Sequence, residues 1–185
     1  LLSGLILEFV LCAGLALAQD SRFPPTSLYN IKQQWLNEQN QKFELQQLQG
    51  KSVVTSMMYL SCKASCPITL QKLRSIESDF SSQGKTADFL VISFDPKTDT
   101  PAEMSKFKAK HQLGSNWHFL NGVESEVRKI ALLLGFNYQR RGDSIEFDHS
   151  NRIILLNSKG EIAATLDRLD AANAMLVDKV ILPTR

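Results

Sequence analysis

Cysteine is scarce in this chain, with three in 185 residues. Cys12 lies in an apolar N-terminal segment, so Cys62 and Cys66 are the only cysteines after it. A framework of several disulfides, such as the one that holds many small secreted domains together, is therefore excluded. The remaining pair is followed at once by Pro67. This pattern leaves four alternatives: a disulfide, a redox dithiol, a metal site, or two buried small residues.

Long runs of one charge and a second long apolar run are also lacking. The 21 Lys and Arg residues nearly balance the 19 Asp and Glu residues, and no basic–aromatic stripe predicts nucleic-acid binding. After residue 20, no apolar stretch has the length of a membrane span. The chain has no internal repeat, and the roughly 165 residues after this segment suit one domain with a single core.

The N-terminal segment is typical of a secretory signal peptide. Residues 1–18 are apolar apart from Glu8 and end in a small residue, any residue and a small residue, with cleavage expected after Ala18. An uncleaved membrane anchor is the alternative, although Glu8 is costly inside a membrane. We therefore expect export to the periplasm or an equivalent compartment, with a linker at residues 19–27 and one domain at residues 28–185.

Strand and helix patterns alternate along this domain. Apolar, β-branched stretches at residues 52–59 and 88–94 predict buried strands, and helices are predicted to begin at Pro67 and Pro101. The other predicted elements are a hairpin of residues 29–36 and 41–45, a strand at 117–120, a helix at 124–134, hairpins of 136–140 with 144–148 and of 152–156 with 161–166, and a helix at 171–182. This alternation predicts an α/β, thioredoxin-like fold: a central mixed sheet flanked by helices, with an N-terminal β-hairpin.

The cysteine loop joins a predicted strand to the helix at Pro67. Cys66 would lie at the helix cap, where free N–H groups and the helix dipole are expected to lower the pKa of its thiol. A simple redox dithiol usually has two residues between its cysteines, whereas three separate Cys62 from Cys66. Thioredoxin-like oxidoreductases commonly place a proline before a late strand, but no proline lies between Pro101 and Pro183. Both features argue against plain thioredoxin activity.

His149 occupies the position at which that proline is expected, in the sequence Asp148-His149-Ser150. Two thiolates and one imidazole from a distant loop would form a soft, three-ligand site that suits Cu(I) and, with adjustment, Cu(II). Zinc would usually require a fourth ligand or an open catalytic position. The residue types therefore favour copper if the loop that carries His149 reaches the cysteines.

From about residue 28 to residue 182, the chain resembles the Sco/SenC family of exported, thioredoxin-fold copper-binding proteins. The segments that carry the resemblance are Cys62-x-x-x-Cys66-Pro67, ISFDPKTDTP at 92–101, WHFLNG at 117–122 and FDHSNRIILLNSKGEI at 147–162. The resemblance implies that Cys62, Cys66 and His149 bind one copper ion per chain, as Cu(I) or Cu(II).

The resemblance also implies a function and a partner. Family members deliver copper to the dinuclear copper site of cytochrome c oxidase or reduce its thiols, and others act in copper homeostasis. We expect a monomeric metallochaperone whose partner is an oxidase subunit or another copper-accepting or thiol-bearing protein. The alternative is a thiol–disulfide oxidoreductase in which Cys62 and Cys66 form the catalytic dithiol and Cys62 attacks.

The residues around Cys62 depart from the family pattern. The family often has a proline directly after the first cysteine, where this chain has Lys63. It often has an aromatic residue, a threonine and one more residue before that cysteine, where this chain has Tyr59, Leu60 and Ser61. The ligand residues are retained, so copper binding is still expected, and the charge of Lys63 would favour a thiolate.

Two carboxylates are candidates for a supporting role at the site. Asp148 would orient the ring of His149 or its loop. Asp95 either takes part in ordinary loop hydrogen bonding or supports the site from the loop after a buried strand. His111 is expected at a helix end and His118 on a half-buried strand, both away from copper.

Overall fold

The computed structural model describes residues 22–62 and 65–180 of the chain. The predicted signal peptide at residues 1–18 lies outside this part. The strands are β1 (Trp35–Asn37), β2 (Lys42–Phe43), β3 (Val53–Met58), β4 (Asp88–Ser93), β5 (Trp117–Asn121), β6 (Tyr138–Arg140), β7 (Phe147–His149), β8 (Ile153–Leu156) and β9 (Ile162–Leu166). The α-helices are α1 (Ser65–Ser82), α2 (Pro101–Lys110), α3 (Glu124–Leu133) and α4 (Ala174–Val177).

Seven of these strands form one mixed sheet, in the order β2-β1-β5-β4-β3-β8-β9. Strands β3, β4 and β5 run parallel, whereas β1 and β8 pair antiparallel with β5 and β3. Every residue of β3, β4 and β8 is buried, which explains why these strands are mostly apolar. The mixed α/β sheet with its N-terminal hairpin, β1–β2, confirms the predicted fold class.

The remaining two strands, β6 and β7, form a separate antiparallel ribbon. The sequence predicted this hairpin, although β7 ends one residue later than expected, at His149. Ser150 follows β7 directly and β8 begins at Ile153, so the ribbon leads into the strand that pairs with β3. The chain therefore brings the end of the ribbon back towards the end of β3, where the cysteine loop begins.

Several predicted element bounds were wrong. The first strand, expected at residues 29–36, is a short 3₁₀ helix at Leu28–Asn30 followed by β1. Helix α1 begins at Ser65 rather than at Pro67, so Cys66 lies inside its first turn. The closing helix, expected at residues 171–182, is the single turn α4. Within the linker expected at residues 19–27, Phe23 is buried and its ring lies edge-on against Tyr29 with centroids 5.4 Å apart. Burial of the Phe23 ring packs residues 22–27 against the domain, although the two nearby prolines are typical of a linker.

Helix α2 shows how local sequence sets an element boundary. The Thr100 hydroxyl accepts a hydrogen bond from the Glu103 N–H, and Pro101 occupies the first helical position, as predicted. Within residues 22–62 and 65–180, none of the helices combines the length and the apolar character that crossing a bilayer requires.

Gly122 tests the packing of the sheet beside β5. A Cβ atom at this position would lie 2.4 Å from the buried ring of Trp35, so Gly122→Ala should force the strand or the ring to shift. We expect a loss of about 1–3 kcal/mol in the free energy of unfolding, measured in urea. Gly114→Ala is the control, because its Cβ would meet only the movable side chain of Asn116. Equal stabilities of the two variants would contradict this account.

Candidate metal centre

The cysteine loop begins where β3 ends at the carboxyl edge of the parallel strands. The Cys62 N–H donates to the Tyr59 carbonyl at 3.3 Å, which closes a turn directly after the strand. The Cys66 N–H then donates to the Cys62 sulfur at 3.4 Å. Both side chains are buried, with exposed fractions of 9% for Cys62 and 3% for Cys66, and no disulfide joins them. The first turn of α1 thus directs a backbone donor at one of the two sulfurs.

A buried carboxylate, that of Asp99, forms a hydrogen bond with the cysteine loop. Asp99, which is 1% exposed, accepts hydrogen bonds from the Leu60 N–H at 3.0 Å and the Ser93 hydroxyl at 2.6 Å. Burial raises the pKa of Asp99 to about 6 against the lowering effect of these two bonds. The segment after β4 therefore supports the loop that carries Cys62 through one side chain.

His149 reaches the loop from the end of the β6–β7 ribbon. Its Nδ1 lies 2.8 Å from the Ser150 carbonyl oxygen. Because a carbonyl only accepts, this hydrogen bond places the proton on Nδ1 and leaves the lone pair of the neutral ring on Nε2. A histidine that binds a metal commonly has this arrangement, with a backbone carbonyl fixing the ring.

Aromatic rings surround the imidazole. Phe94 lies 5.1 Å from it, Tyr59 lies edge-on at 6.0 Å and Phe136 lies parallel at 6.1 Å, all between ring centroids. The Tyr59 ring also packs against the ring of Phe147, with centroids 5.0 Å apart. Burial raises the pKa of Tyr59 to about 12, and the neighbouring Cys62 thiol is the second cause of this rise. The hydroxyl therefore keeps its proton at neutral pH.

Together these elements bring Cys62, Cys66 and His149 to one point. One ligand atom from each residue lies within 4.8 Å of the other two. Ligand atoms on opposite sides of a single ion lie about 4–4.5 Å apart at usual metal–sulfur and metal–nitrogen distances, so small side-chain movements would suffice for binding. The three residues fit a soft metal ion with two sulfur ligands and one nitrogen ligand.

The family model that describes SCO1/SenC proteins matches residues 25–181 of the chain. The chain belongs to the SCO1/SenC family. Among its relatives, the SCO1 protein homolog of Bacillus subtilis is 26% identical over 98 residues, which cover 52% of this chain and 51% of that protein. The matched segment therefore spans only about half the length of that relative.

Solved structures of Sco proteins share the fold. Arabidopsis thaliana ScoI with copper bound has a TM-score of 0.69 at 19% identity, covering 78% of this chain and 90% of that chain. Yeast Sco1 with copper bound has a TM-score of 0.67 at 24% identity, covering 80% and 83%. BsSco, described as a cytochrome c oxidase assembly protein with a disulfide switch, has a TM-score of 0.63 at 20% identity, covering 75% and 82%.

In this SCO1/SenC chain, the predicted effect of the helix on Cys66 was wrong. The pKa of the Cys66 thiol is raised, not lowered, because burial disfavours its thiolate more strongly than the nearby Tyr59 backbone favours it. The neighbouring Cys62 raises the pKa further. The direction of the pKa shift is therefore set by desolvation, which depends on how deeply the first turn of α1 is packed.

Two roles were predicted for Asp148, orienting the ring of His149 or orienting its loop, and the contact made by its carboxylate agrees with the second. Side chains alternate across β7, so Asp148 is exposed while Phe147 is buried and His149 is half-buried. The Asp148 carboxylate accepts a hydrogen bond from Arg141 Nε at 2.7 Å, which closes the far end of the ribbon. The Ser150 carbonyl orients the ring instead.

Asp95 supports the ribbon rather than the ligands. Its carboxylate is 3% exposed and accepts a hydrogen bond from Arg140 on β6 at 2.8 Å. The same guanidinium lies over the Phe147 ring, 4.4 Å from its centroid. This contact ties the loop after β4 to the ribbon that carries His149. No sequence signal connected Arg140 with Asp95, which lies 45 residues earlier.

The other two histidines lie away from the candidate site, as expected. His118 Nε2 lies 3.0 Å from an Asp88 carboxylate oxygen, on the strands rather than at their carboxyl ends. His111 caps α2, and its ring packs 4.3 Å from that of Phe107. Only His149 among the three joins the cysteines in the described part of the chain.

Asp99 should give the protein a distinct dependence of stability on pH. Its pKa is higher in the folded chain, at about 6, than the usual value near 3.8, so the folded state binds more protons between these pH values. Its contribution to stability is therefore present below pH ~4 and is lost as the pH rises through ~6, a change of ~3 kcal/mol at most.

Asp99→Asn keeps an oxygen acceptor for Leu60 and Ser93 but cannot titrate. Urea unfolding at pH 4 and pH 7 should show a smaller fall in stability for this variant than for the wild type. Asp143→Asn, in the exposed turn of the ribbon, is the control and should behave like the wild type. An unchanged difference between the two pH values in Asp99→Asn would contradict the raised pKa.

Proposed function

We propose that this chain is an exported copper-binding protein that carries one copper ion on Cys62, Cys66 and His149. We propose further that it passes the ion to an acceptor protein during assembly of cytochrome c oxidase. The observation that supports this proposal is the convergence of the three donor atoms within 4.8 Å. Membership of the SCO1/SenC family and the copper bound to its yeast and Arabidopsis relatives support the choice of metal.

Copper capture requires the thiolate form of both cysteines and the neutral form of His149. The Cys66 N–H, which donates to the Cys62 sulfur, favours the Cys62 thiolate. Because burial raises the pKa of Cys66, this thiol releases its proton as the metal binds, and binding strengthens as the pH rises. The Ser150 carbonyl holds the proton of the neutral His149 ring on Nδ1.

Copper release is proposed to occur by ligand exchange on the more exposed side of the site. Cys62 is 9% exposed against 3% for Cys66, and His149 is half-buried. An acceptor thiolate can approach a three-ligand ion from the side of Cys62 and His149 and form a new copper–sulfur bond as one of the original bonds breaks. The deeply packed Cys66 would leave last.

A thiol–disulfide oxidoreductase is the second candidate, and the position of the two cysteines favours it. The sulfurs lie within 4.8 Å of each other, and Cys62 is the more exposed. The Cys62 thiolate would attack an acceptor disulfide and form a mixed disulfide with release of one acceptor thiolate. Cys66 would lose its proton and attack the Cys62 sulfur, releasing the second acceptor thiolate and leaving a Cys62–Cys66 disulfide. Two electrons thereby pass to the acceptor.

We also propose that the mature protein acts in the periplasm or its equivalent. The support is the apolar segment at residues 1–18 with its small residues before the expected cleavage point after Ala18. Fractionation of cells that express the full chain, with sequencing of the mature N-terminus, tests both export and cleavage.

His149→Ala separates the two candidate functions. Loss of one of three ligands should weaken Cu(I) binding at least about 100-fold, measured by competition with a chromophoric Cu(I) chelator. The equilibrium of the Cys62–Cys66 dithiol with glutathione should stay within about twofold of wild type, because both sulfurs remain. His111→Ala is the matched control and should retain wild-type Cu(I) affinity, since this ring lies at the end of α2.

Unchanged Cu(I) affinity in His149→Ala would overturn the ligand assignment. The acceptor step is tested separately with an oxidase copper-site fragment, either reduced or oxidised to its disulfide. Movement of Cu(I) to the reduced fragment supports delivery. Reduction of the oxidised fragment by the copper-free dithiol, without copper movement, would favour the oxidoreductase.

A further inference from the structure

A groove of about 250 Å³ lies between the cysteine loop and helix α2. Leu60 and Ser61 line it on the side of the loop, and Phe107 lines it on the side of the helix. Cys62, the more exposed of the two cysteines, follows Ser61 directly in the chain. A molecule seated in this groove would therefore lie next to the side of the metal site from which an acceptor is proposed to approach.

Part of the groove lining is apolar. Leu60 and Phe107 are partly buried and pack against the hydrophobic core. The Phe107 ring lies edge-on against the ring of Phe119, with centroids 5.7 Å apart, so its position is fixed from below. The groove is smaller than the ~300–1,000 Å³ pockets that enclose whole small-molecule ligands. It therefore suits a side chain of a protein partner better than a separate small molecule.

Helix α2 presents a charged face to the groove. Glu103, Lys106 and Lys110 all line it, because residues three, four and seven apart lie on one face of a helix. Lys108 lies off this face, and its ammonium group is 2.6 Å from the carboxylate of Glu38, which is 5% exposed. Lys108 thus joins α2 to the domain, whereas the other two lysines border the groove.

The cations that border the groove outnumber its exposed carboxylates. The Lys106 ammonium group pairs with Glu103 at 2.6 Å, whereas no carboxylate in residues 22–62 and 65–180 pairs with Lys110. Arg74 of α1 adds a further exposed cation, since its guanidinium donates to the carbonyl oxygen of the residue after Lys110 at 3.2 Å. Asp99, the second carboxylate in the lining, is buried. The rim of the groove is therefore basic.

We propose that the groove between the cysteine loop and α2 is the docking surface for the acceptor protein, which binds there through an acidic segment that carries an apolar side chain. The proposal rests on the proposed function, because it requires an acceptor of copper or of electrons. Carboxylates of the acceptor would pair with Lys110 and Arg74, and its apolar side chain would cover Leu60 and Phe107. An apolar centre with a polar, charged rim is the usual composition of a protein–protein interface.

The size and charge of this surface suit a brief contact. Small interfaces are typical of weak, transient complexes, and complementary charges raise the rate at which such complexes form. A copper carrier needs both properties, because it must release its acceptor after each transfer. Attraction between opposite charges would also orient the acceptor before contact, so that its thiolates approach the side of Cys62.

Lys110→Glu reverses a rim charge and leaves the copper ligands in place. The rate constant for Cu(I) transfer to the reduced oxidase copper-site fragment should fall about tenfold at ~10 mM salt, because association with an acidic partner is slowed. The difference from the wild type should shrink to within about twofold at ~1 M salt, where the Debye length is ~3 Å. Lys110→Arg keeps the charge and should transfer copper at the wild-type rate.

Lys179→Glu is the matched control. It makes the same change in net charge, but Lys179 is exposed and lines a cavity at the opposite end of the sheet, beside the residues that precede β3. Its rate constant should stay within about twofold of the wild type. Cu(I) affinity, measured by chelator competition, should match the wild type in every variant, and thermal unfolding should show that each is folded.

Equal slowing in Lys110→Glu and Lys179→Glu would be an effect of net charge and would overturn the docking surface, as would a wild-type rate in Lys110→Glu. If the wild type transfers no copper, the proposed delivery function fails. Binding of the copper-free proteins to the same fragment, measured by calorimetry, then tests the groove independently. Binding that Lys110→Glu weakens at low salt and Lys179→Glu leaves unchanged would support the groove, and any other binding result would contradict it.

Discussion

The candidate metal centre depends on the packing of aromatic rings around Phe94. This residue follows β4 directly and is 2% exposed. Its ring centroid lies between 5.0 and 5.7 Å from those of five other rings: Tyr59, Phe136, Tyr138, Phe147 and His149. One of these rings belongs to the cysteine loop, and the others belong to the segment that leads into and forms the β6–β7 ribbon. The cysteine loop and the ribbon that carries His149 therefore both pack against the side chain of Phe94.

Ring packing has to position the ribbon because β6 and β7 form a sheet separate from the main one. A strand within the main sheet is held in register by backbone hydrogen bonds along its length, whereas the ribbon lacks such a ladder with β3 or β4. Its position rests on aromatic contacts and on the ion pair between the exposed Arg140 and the buried Asp95. Asp95, in the family-like segment, thus acts on the site indirectly, through the ribbon.

Burial and reactivity oppose each other at the two cysteines. A buried thiol is protected from solvent and holds its proton, and the raised pKa of Cys66 follows from that environment. A metal ion overcomes this cost because it replaces the proton and neutralises the thiolate charge. In the proposed oxidoreductase role, the same pair without metal would pass two electrons to an acceptor, so one arrangement of sulfurs is compatible with both proposals.

Much of the fold was predictable from sequence because its signals are local. The Thr100, Pro101 and Glu103 capping pattern set the start of α2, and the apolar runs of β3 and β4 marked strands buried on both faces. The closing helix was overpredicted because a run of helix formers after Ala171 does not determine its own length. The start of α1 was placed two residues late because Pro67 is tolerated anywhere in a first turn.

Of the candidate site, the sequence by itself determined the donor set: two cysteines at a strand-to-helix junction and a histidine ahead of a late strand. The tertiary structure alone decided the environment of those donors. It showed that Asp148 faces away from the site, that Asp95 acts through Arg140, that Cys66 is buried, and that the Tyr59 ring packs against His149. The ability of cysteine and histidine to bind a metal can be inferred from the residue type. Their burial and hydrogen bonding depend on segments distant in sequence, which only folding brings together.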